Sequence, residues 1–251
     1  MAPGLLIIEK MESGHPLDPL IAAADRALRA LFAPAHASRP LPVPQPKTHP
    51  SVGGPPAKTP SSPALPDSEI AAVAAQSESE LTENERLKAA ALMRVNHAGE
   101  IAAQALYHGQ ALVSRSEQTR TLLLRSAREE SDHLAWCEMR LTELGSRPSL
   151  LNPLWYCGAF AIGTLAAAGG DRWSLGFVVE TERQVEGHLD EHLERLPAGD
   201  RRSQAILRTM REEEIGHGRT ARAAGAAELP QPVRLLMKQA ARIMTTTSYW
   251  L

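Results

Sequence analysis

EESDHLAWCEMRL, residues 129–141, and MREEEIGH, residues 210–217, each carry the spacing Glu-x-x-His within a stretch that otherwise reads as helix. The pairs are Glu130 with His133 and Glu214 with His217. A lone glutamate stands upstream of each, Glu100 lying 30 residues before Glu130 and Glu182 lying 32 residues before Glu214. A helix, a short turn and an antiparallel return would bring each lone glutamate level with its Glu-x-x-His partner. Within each motif the i and i+3 side chains share one helix face, so a single turn can present both. Four carboxylates and two imidazoles converging inside a four-helix bundle are the donor set of a dinuclear iron or manganese centre.

Glu and His are common, so the argument rests on where these six stand along their helices. Over 123–144 the apolar seam runs Leu123, Ala127, Leu134, Cys137, Leu141, Leu144, and Glu130 occupies the step between Ala127 and Leu134. Over 175–196 it runs Leu175, Val178, Val185, Leu189, Leu193, Leu196, interrupted by Glu182. Over 207–224 it runs Leu207, Met210, Ala221, Ala224, interrupted by Glu214 and His217 together. Around Glu100 the seam is weaker: Met93, His97, Gln104, Tyr107, Ala111. A buried carboxylate without a partner costs several kcal/mol even after relaxation. Four converging would rival the stability of a domain, about 5–15 kcal/mol, unless positive charge sits between them. One Glu-x-x-His in a Glu-rich helix more often marks a solvated face; the duplication with seam-breaking partners is what argues for metal. Seam phase selects Glu182 over its neighbour Glu180, and leaves Glu129, Glu212 and Glu213 as solvated or salt-bridged residues.

The rest of the chain sets the frame. Basic and acidic residues number 27 and 29, which leaves no nucleic-acid footprint. Ala, Leu, Arg and Glu dominate and favour helix, no useful strand-like alternation occurs, and the class expected is all-α. Cys137 and Cys157 form no C-x-x-C pair and suggest no disulfide framework. The N-terminus carries acids early and reads as no signal peptide. Residues 1–32 are expected to hold one short amphipathic helix at 18–32, with Leu20, Ala23, Ala24, Ala27, Leu28 and Leu31 at helical spacing. The Pro- and Ser-rich stretch 33–67 is expected to be a disordered linker, and 68–251 a bundle broken at Gly145–Pro148, Gly169-Gly170, Pro197–Asp200 and Gly225–Pro232. From Pro148 to Gly170 there is no charged residue. That stretch reads either as a buried connector or as a helix in the membrane interface, with Leu151, Leu154, Trp155, Phe160 and Ile162 toward lipid.

These residues resemble the di-iron hydroxylases of ubiquinone biosynthesis, the demethoxyubiquinol hydroxylases, with the bacterial branch the nearer. The resemblance covers residues 84–251 and the helix at 24–32. It is carried by LMRVNHAGEIAAQALYHGQAL (92–112), EESDHLAWCEMRLTELGSRPSLLNPLWY (129–156), SLGFVVETERQVEGHLDEHL (174–193), MREEEIGH (210–217) and MTTTSYWL (244–251). It implies a ferritin-like four-helix bundle with an additional membrane-interface helix. Glu100, Glu130 and His133 would hold one iron and Glu182, Glu214 and His217 the other, with Glu130 and Glu214 bridging and His188 supporting from behind. The implied activity is an O2-dependent monooxygenation of the quinone ring that converts demethoxyubiquinol to demethylubiquinol. It needs two iron ions per chain and an external reductant such as NADH, for which no G-x-G-x-x-G follows a strand here. The implied partners are a prenylated quinol, O2, the membrane surface and other ubiquinone-biosynthesis proteins, with no nucleic acid. The implied location is the cytoplasmic face of the cell (inner) membrane, as a peripheral protein. A ferritin- or rubrerythrin-like protein storing iron or removing peroxide is the competing reading; it predicts a cage or an additional cysteine site.

Overall fold

The computed structural model describes residues 17–44 and 81–251, and among these every regular element is a helix. In chain order they are α1 (Asp18–Phe32), α2 (Glu83–Val113), α3 (Glu117–Glu143), α4 (Asn152–Ala168), α5 (Asp171–Arg195), α6 (Arg201–Ala223) and α7 (Gln231–Trp250). Local chemistry explains their ends. Thr82 and Glu85 close a reciprocal capping box on α2, Ser116 caps α3 through the Thr119 amide, and Asp200 caps α6 through the Ser203 amide. The expected breaks at 145–148, 169–170 and 197–200 fall between helices, and that at 225–232 does so up to Pro230, with Gln231 and Pro232 opening α7.

One break escapes a search for glycine and proline. The turn between α2 and α3 is Ser114-Arg115-Ser116, and a residue far away in sequence completes it. The Asp171 carboxylate accepts hydrogen bonds from the Ser114 hydroxyl and from the amides of Arg115 and Ser116. The turn therefore takes its shape from the first residue of α5.

Two helical hairpins, α2–α3 and α5–α6, face each other, with α2 touching α5 and α3 touching α6. Their interior is layered. At one level Met93, Cys137, Leu189 and Met210, one from each bundle helix, join a single apolar cluster. At another Tyr107, Ala127, Val178 and Ala221 join a second. The six motif residues lie between; on α2, Glu100 stands seven residues from Met93 and seven from Tyr107. All four helices thus cross one polar layer held between two apolar ones.

α4 lies along α2 and α7 packs on α2 as well. The α2–α4 approach depends on paired glycines: a Cβ on Gly109 would strike the Phe160 carbonyl oxygen, and one on Gly163 would strike that of Leu106. The C-terminus is tied beside the start of α4, where Trp155 donates to the Ser248 hydroxyl and Leu150 donates to the Leu251 carbonyl.

Several expectations need correction. α1 turns Ala23, Ala27, Ala30 and Leu31 toward the bundle, whereas Leu20, Ala24 and Leu28 are exposed. Ala224 lies beyond the end of α6 and is exposed. Of the expected linker, residues 33–44 lie against the bundle: Ala35 donates to Glu138, and Ser38 and Arg39 donate to Asp132. Residues 45–67 of that stretch, and the expected start of helical pattern at 68–80, lie outside the described residues. Replacing Gly109 or Gly163 by valine should cost about 1–3 kcal/mol through overpacking of α2 on α4. Thermal unfolding checks this, with Gly187→Ala, which meets no neighbour, as the tolerated comparison.

Candidate metal centre

The six motif residues meet. Glu100 comes from α2, Glu130 and His133 from α3, Glu182 from α5, and Glu214 and His217 from α6. Glu130 and His133 are fully buried, and His217, the most exposed of the six, is only 8 % exposed. Ligand atoms of Glu100, Glu130, His133 and Glu214 all lie within 4.8 Å of one another, and so do those of Glu130, Glu182, Glu214 and His217. Glu130 and Glu214 belong to both groups, the position a bridging carboxylate takes.

The donors crowd without satisfying one another. His133 Nδ1 lies 2.8 Å from Glu130, 3.2 Å from Glu214 and 3.4 Å from Glu100, yet it has no aligned hydrogen-bond partner. Both carboxylate oxygens of Glu130 and of Glu182 are likewise buried without a hydrogen bond among the described residues. Buried polar atoms are nearly always partnered, and here six orphaned atoms of four residues, counting Glu100 Oε2, are brought into one layer. A donor set of four carboxylates and two imidazole nitrogens fits first-row divalent metals, so the residues present fit a dinuclear centre.

Electrostatics says the same in another form. Burial pushes the Glu100 and Glu182 carboxyls well above the ordinary range, and the neighbouring charges of Glu130 and Glu214 add to it. Burial opposes charge on Glu130 and Glu214 too, but the two imidazoles hold both below the usual value. Burial also opposes a charged His217, and the carboxylates of Glu130 and Glu214 override it and raise the ring to about 12; His133 is raised well above its ordinary value in the same way. Without a cation the layer therefore holds protons where a metal would sit.

The outer nitrogens are fixed by residues whose role the sequence did not disclose. His133 Nε2 donates to Glu213 at 2.8 Å, and His217 Nε2 donates to Glu129 at 2.7 Å. These bonds turn both Nδ1 atoms inward, the orientation a carboxylate behind an imidazole enforces at a metal. The pairing is crossed: each motif supplies the carboxylate for the other motif's histidine. In the sequence Glu129 and Glu213 read as solvated or salt-bridged, and both are salt-bridged; each stands one residue before a motif glutamate, a repeated Glu-Glu-x-x-His that marks them in retrospect. Glu180 is buried but turned to Arg183, 2.6 Å away, and to Gln184, 2.7 Å away; it joins neither ligand group. Glu212 is exposed.

His188 stands apart from the ligand cluster. Its ring lies 3.9 Å from that of His192, which in turn bonds Asn96, and its Nε2 is buried without a partner among the described residues. Burial lowers it to about 4, so the ring is neutral. His188 and Glu100 both line a cavity of about 1350 Å³ that runs between α4, α5 and α7, with Leu106, Ile162, Met237 and Trp250 in its wall.

Metal binding to this layer must expel the protons it otherwise holds. Since His217 retains its inner proton up to about pH 12, metal affinity should fall steadily as pH falls through the neutral range. Titration calorimetry of the metal-free protein in buffers of different ionisation enthalpy should record net proton release; metal uptake with no proton release would contradict the charge assignment.

A family model described as ubiquinone biosynthesis protein COQ7 matches residues 87–248. The 3-demethoxyubiquinol 3-hydroxylase of Ralstonia pickettii is 52 % identical over 237 residues, which cover 93 % of this chain and 99 % of the relative. That of Azoarcus sp. is 50 % identical over 232 residues, 92 % and 98 % of the two chains. That of Cupriavidus pinatubonensis is 61 % identical over 175 residues, 70 % and 84 %.

Proposed function

The chain belongs to the COQ7 family of ubiquinone biosynthesis proteins, and we propose that its polar layer holds two iron ions beside a cavity for the demethoxyubiquinol whose ring it hydroxylates. Glu100, Glu130 and His133 would hold one ion and Glu182, Glu214 and His217 the other, with Glu130 and Glu214 shared. Two iron ions there would supply the reduction of O2 and the transfer of one oxygen atom to the ring. The electrons come from outside the chain, from a reductant of the NADH type acting directly, through the quinone or through another protein.

The observation that carries this reading is the apolar cavity that reaches a ligand carboxylate. A quinol ring beside Glu100 would share the cavity with His188, whose neutral imidazole can hydrogen-bond a ring oxygen. The prenyl tail has room to leave between α4 and α7. Those two helices also present Leu154, Ile162, Leu165, Leu236, Ile243 and Trp250 to solvent. No helix among the described residues is long and apolar enough to cross a membrane. Exposed apolar residues on two helices beside the cavity support binding at a membrane interface, where a prenylated substrate resides; the cytoplasmic face of the cell membrane is the location that the family reading implies. Trp155, half-buried and bonded to Ser248, serves packing here more than lipid contact. Iron storage or peroxide removal leaves this cavity without a purpose, and Cys137 and Cys157, one buried and one exposed, offer no rubredoxin-type site.

Supplied with a demethoxyquinol, O2 and reductant, the iron-loaded protein should form the hydroxylated quinol. Glu182→Ala should bring turnover to background, and Glu180→Ala should leave it near the wild-type rate; the reverse result would refute the ligand assignment. Replacing Leu154, Leu165 and Leu236 together by glutamine should abolish flotation with phospholipid vesicles while leaving bound iron unchanged, and flotation that survives would place the contact elsewhere.

A further inference from the structure

Two carboxylates, Glu213 and Glu129, orient the two inward-facing imidazoles, but they are not held alike. Glu129 is anchored by Arg125 at 2.9 Å, one turn back on the same helix, and that guanidinium is 74 % exposed. Exposed i,i+4 pairs contribute little. Glu213 is anchored from outside the bundle. Arg39, in the segment after α1, donates through Nη1 to Oε1 at 2.6 Å and through Nη2 to Oε2 at 2.9 Å. The same Oε2 accepts from His133. Arg39 Nε donates in addition to Asp132 at 2.5 Å, and Asp132 takes the amide and the hydroxyl of Ser38 as well. The Arg39 guanidinium lies 4.9 Å from the Trp136 ring centroid, and that ring lies 5.5 Å from the His133 ring.

This arrangement spans the two helices that carry the Glu-x-x-His motifs. Asp132 sits next to His133 on α3, and Glu213 sits next to Glu214 on α6. A planar guanidinium that engages one carboxylate through two nitrogens and a second through the remaining one fixes both at once. We infer that the strap Ala35–Arg39 is a positioning device for one of the two metal subsites: through Glu213 it sets the His133 imidazole and retains the ion bound there, while the His217 subsite does without it. The inference rests on the di-iron reading. It makes the two ions unequal in a layer whose ligands are otherwise matched, and it gives a Pro-rich stretch that resembles a tether a part in holding metal.

The test loads the full-length protein with ferrous iron under anaerobic conditions and follows release to a chromophoric ferrous chelator. Arg39→Ala should release one of two iron equivalents about 10–100-fold faster than wild type, the usual span for losing support behind a metal-bound imidazole. The second equivalent should leave at the wild-type rate. Asp132→Asn, which loosens the strap from its other anchor, should accelerate the same single equivalent. Glu129→Ala should accelerate the other one, so that Arg39→Ala combined with Glu129→Ala releases both quickly. Mössbauer spectra of the loaded Arg39→Ala protein should show one altered quadrupole doublet and one unaltered. Release of both equivalents at the wild-type rate, or equal acceleration or loss of both in Arg39→Ala and Asp132→Asn, overturns the inference. A wild-type protein that holds fewer than two irons per chain defeats the underlying di-iron reading instead.

Discussion

Four carboxylates at one level of a helical bundle are the constraint on which the remainder of this structure depends. Each of α2, α3, α5 and α6 gives up a core position to an acid, and among the described residues the charge in the layer is offset by the two imidazoles. Apolar clusters above and below carry the packing that the layer cannot. They bury Leu92, Trp136, Leu141, Ile206 and Leu207 on one side and Leu123, Leu175 and Val178 on the other. The bundle tolerates an acid layer because two flanking layers hold the helices in place regardless of its charge, and a cation bound there then replaces the protons that otherwise neutralise it.

Around that layer the structure is built as a duplication with one asymmetry. Each hairpin contributes a lone glutamate and a Glu-Glu-x-x-His, and the leading glutamate of each motif crosses to the histidine of the other. Crossed support couples the hairpins more closely than apolar contact alone, since each imidazole is oriented by the opposite hairpin. The asymmetry comes from outside. α4 and α7 cover one side and leave an apolar cavity that reaches Glu100, whereas the segment after α1 lies against α3 and α6 and grips Asp132 and Glu213. In the reading proposed above, substrate access and metal retention would fall to different additions to the same four helices.

Much of this was legible in the residues. Seam phase along 123–144 and 175–196 located Glu130 and Glu182 as interior acids, because a helix repeats every 3.6 residues and an interrupted stripe is visible without coordinates. The same logic held only in part on α1, where Ala23, Ala27 and Leu31 pack inward but Leu20, Ala24 and Leu28 face out. It failed at Ala224, where the helix had already ended. The turn at Ser114–Ser116 was missed because Asp171, distant in sequence, supplies its hydrogen bonds. Glu129 and Glu213 read as solvated or salt-bridged, and they are salt-bridged, but which imidazole each meets only the facing helix shows.

By itself the sequence determined the class of the fold, the four helices that matter and the six residues that converge in the polar layer, since each of these follows from spacing along one chain segment. Only the tertiary structure decided which carboxylate stands behind which histidine, that a cavity reaches the ligand layer, and that Arg39 grips two helices beside it. Those are relations between segments far apart in the chain. Helical periodicity says which way a side chain points on its own helix; the packing of one helix on another decides what it touches.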